Sequence, residues 1–191
     1  MQALEAWLRA VVATPGLTSL DLPSARVALL EDALRAVPVV ERFPGPIVDV
    51  GSGNGSPGIP IAHALPAREV VLLEAEARRC EFLALWAPPN ARVARGRAEE
   101  QETDWAGVAL AKALAPPPVA AEWCVPLVRP GGAVLLWIGE TAELDRVAAV
   151  AERLAAEPCE APPGFALLRK TGPTPPGFPR RTGVARKRPL A

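Results

Sequence analysis

The sequence predicts an α/β fold, a doubly wound and mostly parallel sheet with helices on both faces. Three observations carry that expectation. Short apolar runs recur along the chain without the every-other-residue alternation of a half-wet strand, so both of their faces are buried. Amphipathic, helix-length stretches separate these runs, as crossovers between parallel strands require. A glycine-rich stretch, VDVGSGNGSPGIP from Val48 to Pro60, follows the first run at the point where such sheets open a ligand crevice.

Taken in order, Leu4, Trp7, Leu8, Val11 and Val12 repeat at helical spacing until Thr14, Pro15 and Gly16 interrupt them. A second helix starts near Ser24, read as its N-cap, and carries Val27, Leu30, Leu34 and Val37 as far as Pro38, before the turn at Pro44 to Pro46. The first strand is Ile47 to Val50, and IPIAHAL forms a helix after the glycine loop. Val70 to Leu73 is the second strand, Ala77 to Trp86 a helix, Arg92 to Ala94 the third strand and Gly107 to Leu110 the fourth. A helix through Val119 to Leu127, a fifth strand at Ala133 to Trp137, a helix from Ala142 to Ala155 and a last strand at Phe165 to Leu168 complete the alternation. Beyond Lys170, four prolines between 173 and 179 point to an extended strap or a disordered tail rather than a helix. Three segments result: an N-terminal helical extension (1–40), the ligand-binding α/β domain (41–170) and a proline-rich basic tail (171–191).

The chain has 191 residues, half of them apolar, enough for one α/β domain with a sizeable core. No apolar stretch reaches the roughly 18 residues of a membrane span, and Glu5 is out of place in a secretory signal, so a soluble cytoplasmic protein is expected. Cys80, Cys124 and Cys159 are odd in number and lack Cys-x-x-Cys spacing, which favours small buried side chains over a disulfide or a metal site. Lys plus Arg and Asp plus Glu balance at 21 each, yet no acid follows Glu160, while seven cations do. An acidic body with a basic tail suggests an anionic partner such as nucleic acid.

The glycine loop narrows the ligand. Glycines permit a tight turn and let backbone amides approach a small molecule closely. A dinucleotide fingerprint demands glycine at position 56, where this chain has Ser56 and then Pro57, which argues against a nicotinamide dehydrogenase. The stretch instead reads Asp-x-Gly-x-Gly-x-Gly, with Asp49 two residues before Gly51, and resembles motif I of the class I S-adenosylmethionine-dependent methyltransferases. That resemblance puts the acid near the cofactor's amino group and the loop around its methionine part. Glu74, ending the second strand, stands where a carboxylate accepts ribose hydroxyls.

The wider stretch VDVGSGNGSPGIPIA is similar to the signature of the small-subunit ribosomal RNA methyltransferase G family, through Pro57, Gly58, Ile59, Pro60 and Ala62. LLEAEARRCEFL, GRAEE, AKALAP and the closing KTGPTPPGFPRRTGVARKRPL resemble further family motifs in the same order, so the likeness runs from about Leu17 to the end. It implies methyl transfer from S-adenosylmethionine to N7 of a guanosine in the decoding region of 16S rRNA, within the small ribosomal subunit; a monomer that uses neither metal nor membrane is expected besides. Gly51, Gly53, Ser56 and Gly58 then line the methionine side, Glu74 and Ala75 the ribose, and Arg97, Ala98 and Glu99 the adenine. Arg97 has an alternative as an ion-pair partner of Glu99 or Glu74. Lys112 occupies the place of a family arginine at the end of the fourth strand, as the catalytic, substrate-facing cation, and Arg180 and Arg181 of the tail contact RNA. The single histidine, His63, is not needed, because guanine N7 attacks through an in-plane lone pair without a base.

Several positions depart from that pattern. Ile138 precedes Gly139 where a lysine is usual, Gly164 and Phe165 replace a basic pair, and Leu29 replaces a histidine while Asp32 is kept. The strand before Phe165 reads as mostly deleted around Pro158 to Pro163. These losses leave open a second expectation, a cofactor-binding module or small-molecule methyltransferase with a lost or changed substrate.

Overall fold

Residues 2–191 are described by a computed structural model. Helix α1 (Gln2–Ala13) buries Leu4, Trp7, Leu8 and Val11, the stripe its spacing dictates. The next helix is continuous but built in three parts: α2 (Leu22–Ala25), a π-helical turn (Arg26–Glu31) and α3 (Asp32–Leu34). Its cap is Asp21 rather than Ser24. The Asp21 carboxylate accepts from the Ser24 amide at 2.9 Å, and Pro23 takes a first-turn position whose N–H would have no helical acceptor. A short α4 (Val37–Val40) leads to the sheet.

The α/β part runs β1 (Ile47–Val50), α5 (Gly58–Ala64), β2 (Val70–Glu74), α6 (Ala77–Trp86), β3 (Ala91–Arg95), a 3-10 turn (Ala98–Glu100), β4 (Ala106–Ala111), α7 (Pro117–Cys124) and a second 3-10 turn (Val125–Leu127). It continues through β5 (Val128–Trp137), α8 (Leu144–Arg153), β6 (Ala156–Cys159), β7 (Phe165–Lys170) and α9 (Val184–Lys187). The seven strands stand in the order β3-β2-β1-β4-β5-β7-β6, all parallel except that β7 runs antiparallel to both of its neighbours. Successive residues of the central strands feed opposite layers. Val48, Val71, Ala109 and Val134 pack under α7 and α8, while Ile47, Leu72, Leu110 and Leu135 pack under α1, α5 and α6. This two-sided burial is why those strands read as unbroken apolar runs.

Two expectations are corrected here. The strand thought deleted is present as β6, paired with β7 from Ala156 opposite Lys170 to Cys159 opposite Leu167. Pro158 is tolerated because β6 is the sheet edge, where a residue needs no second partner for a backbone N–H. The tail is neither free nor wholly extended. It crosses the body as a docked strap and ends in the one-turn α9, whose Ala185 is buried. Cys124 is buried as expected, but Cys80 and Cys159 are only half-buried. Among the described residues no helix is long and apolar enough to cross a membrane.

Candidate active site

The strand order reverses between β1 and β4, and the crevice beyond their carboxyl ends is where this topology places a ligand. There the chain leaves β1 through Gly51, Gly53 and Gly55, whose φ values of 71°, 56° and 99° are left-handed and suit glycine alone. The loop is tied from beneath: the Gly51 and Ser52 amides donate to the Leu73 carbonyl, and the Gly53 amide donates to Glu74 Oε2 at 2.9 Å. It is tied from behind as well. Trp7 Nε1 donates to the Asn54 carbonyl at 3.0 Å, and the Ser56 hydroxyl donates to the Leu29 carbonyl at 2.7 Å.

Asp49 lies under this loop, 1% exposed, with Oδ2 accepting from the Gly58 amide at 3.0 Å. A Cβ on Gly58 would sit 2.4 Å from Leu72 and 2.6 Å from that carboxylate, so only glycine lets the helix start this close. Asp49 Oδ1 has no partner among the described residues, and burial pushes the carboxyl up to about 7. Ionised, a buried carboxyl with one oxygen unpartnered is costly, so the group holds its proton to near neutral pH.

Above the loop is a cleft of about 220 Å³. Gly51, Leu73, Glu74 and Ala75 form one side, Gly96, Arg97, Ala98 and Glu99 the second, and Ala113, Leu114, Trp123 and Arg186 the third. Glu74 accepts from Gly53 and, through Oε1, from the Glu76 amide at 2.8 Å. A carboxylate has about four acceptor sites, so two remain for hydroxyls. Leu114 reaches over Gly51, its Cδ1 being 2.3 Å from where a Cβ on that glycine would stand. A diol acceptor beside an apolar slot suits a nucleoside, the larger part of S-adenosylmethionine.

Comparison with known proteins adds the decisive observation. The family model described as rRNA small subunit methyltransferase G matches residues 2–158. This chain belongs to the rRNA small subunit methyltransferase G family. The ribosomal RNA small subunit methyltransferase G of Synechococcus elongatus is 32% identical over 179 residues, covering 80% of this chain and 72% of that protein. Those of Rubrobacter xylanophilus and Salinispora arenicola are 35% and 42% identical, and cover 78% and 63% of this chain and 66% and 57% of their own lengths. Among solved structures, a SAM-dependent O-methyltransferase from Thermotoga maritima superposes with TM-score 0.60 at 14% identity, covering 86% of this chain and 71% of its own. A Thermus thermophilus 16S rRNA N2 G1207 methyltransferase bound to AdoMet and guanosine gives 0.53 at 16% identity, covering 70% of this chain and 37% of its own. These likenesses establish the class I methyltransferase fold.

Of the methyltransferase G residues expected from the sequence, Gly51, Glu74, Ala75, Arg97, Ala98 and Glu99 come together on the cleft. Asp49, Gly53, Ser56 and Gly58 do not line it; they shape and brace the loop from below and behind. Arg97 is exposed and forms no ion pair with Glu74 or Glu99. Its amide instead donates to Glu100 Oε2 in a capping turn.

Lys112 stands one residue past β4, beside the cleft rather than in it. Its Nζ lies 2.7 Å from Asp32 Oδ2, donates to the Ala28 carbonyl, and sits 5.8 Å from the Trp137 ring centre. Arg35 pairs with the same Asp32 at 2.9 Å and lies over the Phe165 ring at 5.1 Å. Its guanidinium comes within 3.6 Å of where a Gly164 side chain would begin. Arg35 thus brings a cation beside position 164 from the end of α3, a juxtaposition that only the folded chain brings into view.

Arg180 is corrected. Rather than facing RNA, it binds the buried Glu122 through two bonds of 2.5 and 2.6 Å. Arg181 is exposed. Sequence reasoning also missed Leu114, Trp123 and Arg186, whose approach to the loop depends on where α7 and the strap pack.

Proposed function

We propose that this protein transfers a methyl group from S-adenosylmethionine to N7 of a guanosine in the decoding region of 16S rRNA. The observation that carries the reading is the cleft at the sheet's switch point, with Glu74 in its wall, opening beside Lys112, Arg35 and the partly exposed Trp137. The cofactor, when bound, supplies an electrophilic methyl group on sulfonium.

Glu74, fixed by the Gly53 and Glu76 amides, accepts the ribose hydroxyls; Ala98 and Glu99 border the adenine; Asp49 holds Gly58 and offers negative charge to the amino end. Lys112, steered by Asp32, and Arg35 hold an anionic, flat substrate beside the partly exposed Trp137, with the buried Phe165 packed behind as support. No side chain has to remove a proton, since guanine N7 offers its lone pair in the ring plane; orientation and exclusion of water do the work. His63 does not line the cleft, in keeping with this. With the ribosomal subunit as substrate, the protein acts as a cytoplasmic monomer without a metal.

The test is transfer of labelled methyl from S-adenosylmethionine to small subunits that lack the modification, followed by mapping. Label on N7 of one decoding-region guanosine is expected. Lys112→Ala should lower kcat about 10- to 100-fold, a loss of roughly 1.4–2.8 kcal/mol of transition-state stabilisation, with cofactor affinity unchanged. Cofactor binding without label on the subunit would mean a lost or changed substrate.

A further inference from the structure

The strap that ends the chain is bonded to the elements that form the cleft. Arg180 grips Glu122 of α7, the Gly183 amide donates to Glu99 Oε1 at 3.2 Å, and Thr182 donates to Glu100 at 3.2 Å. Glu99 belongs to the cleft wall, so the strap is anchored on the rim itself. Gly183, with φ of 80°, then turns the chain into α9 and carries Arg186 onto the third side of the cleft. There the guanidinium lies 5.2 Å from the Trp123 ring centre and reaches the Leu114 carbonyl at 3.5 Å. Trp123 is 8% exposed and its indole N–H has no partner among the described residues.

Nothing in this arrangement needs a cation for the fold: no acid pairs with Arg186 among the described residues, and its side chain is exposed. What it presents to the cleft is a flat, weakly hydrated cation already stacked on an aromatic wall, a surface suited to a flat heterocycle. We propose that the C-terminal strap is part of the cofactor site and that Arg186 binds the cofactor's adenine through its guanidinium. This rests on the methyltransferase reading. A basic tail that looks like an RNA arm therefore also retains the methyl donor.

The test is titration calorimetry on the full chain with S-adenosylmethionine and with S-adenosylhomocysteine, which share the adenosine. Arg186→Ala should weaken both about 5- to 20-fold while lowering the melting temperature by no more than about 2–4 °C. Arg186→Gln keeps a donor for the Leu114 carbonyl and should be equally weak; wild-type affinity in that variant would reduce Arg186 to a prop for Leu114 and overturn the proposal. Unchanged cofactor affinity in Arg186→Ala, with weaker binding of ribosomal RNA, would make the strap an RNA arm only and leave the methyltransferase reading standing. A wild-type chain that bound neither compound would remove that reading and the inference together.

Discussion

Asp49 shows how one residue can cost stability and serve binding. Its folded carboxyl is raised to about 7 by burial, against an ordinary value of 3.8, so the folded state keeps a proton that the unfolded state releases between those values. Stability contributed at this position is therefore present at low pH and lost as pH rises from about 4 to about 7. Asp49→Asn removes the titration. In urea melts the stability of the Asn variant relative to wild type should climb across that window by at most about 1.4 kcal/mol per pH unit, then level off. Its affinity for S-adenosylmethionine should fall at least tenfold at pH 8, since an amide offers the ligand's cation no charge. Identical pH profiles for the two proteins would show that Asp49 is not the buried acid described here. The sequence marks this acid through its spacing to Gly51, but not its depth, which depends on Gly58 and Leu72 closing over it.

At the scale of elements, the central strands and the helices between them were legible because burial on two faces leaves unbroken apolar runs. Boundaries set by single hydrogen bonds were not. Asp21 competes with Ser24 for the same cap, and β6 hides in a proline-rich stretch that only its edge position makes tolerable. α1 was legible as a core helix, yet its second task was not. Trp7, fully buried, also donates to the carbonyl of Asn54, a partner 47 residues away, and thereby braces the cofactor loop. Trp7→Phe keeps the apolar bulk and loses the donor. It should cost about 1 kcal/mol of stability in a denaturant melt and weaken S-adenosylmethionine about 2- to 5-fold, while kcat at saturating cofactor stays near wild type. A raised KM with preserved kcat separates bracing of the loop from a general loss of fold; unaltered KM would leave Trp7 a core residue alone.

For the whole molecule, the switch point was visible in the order of strands and helices, but the use of the basic tail was not, because charge counts carry no partners. Seven cations follow the last acid, and two of them are spent inside the protein: Lys170 lies 3.5 Å from Asp104, and Arg180 binds Glu122. The strap is held on the body by Arg180 and by bonds from Thr174, Thr182 and Gly183, which leaves Arg181, Lys187 and Arg188, besides Arg186 of the cleft, exposed on a docked rather than a floppy segment. Exposed cations on a fixed surface hold phosphates by releasing counterions, and each contact adds a characteristic increment to the salt dependence of binding. Simultaneous substitution of Arg181, Lys187 and Arg188 by alanine should therefore flatten the plot of log affinity for small-subunit RNA against log salt by about 2 to 3 units of slope. Lys112→Ala should change that slope by about 1 at most, because its ammonium already answers to Asp32. If the triple variant kept the wild-type slope, RNA would be gripped on the Lys112 and Arg35 face alone, and the strap would serve the cofactor cleft without touching the ribosome.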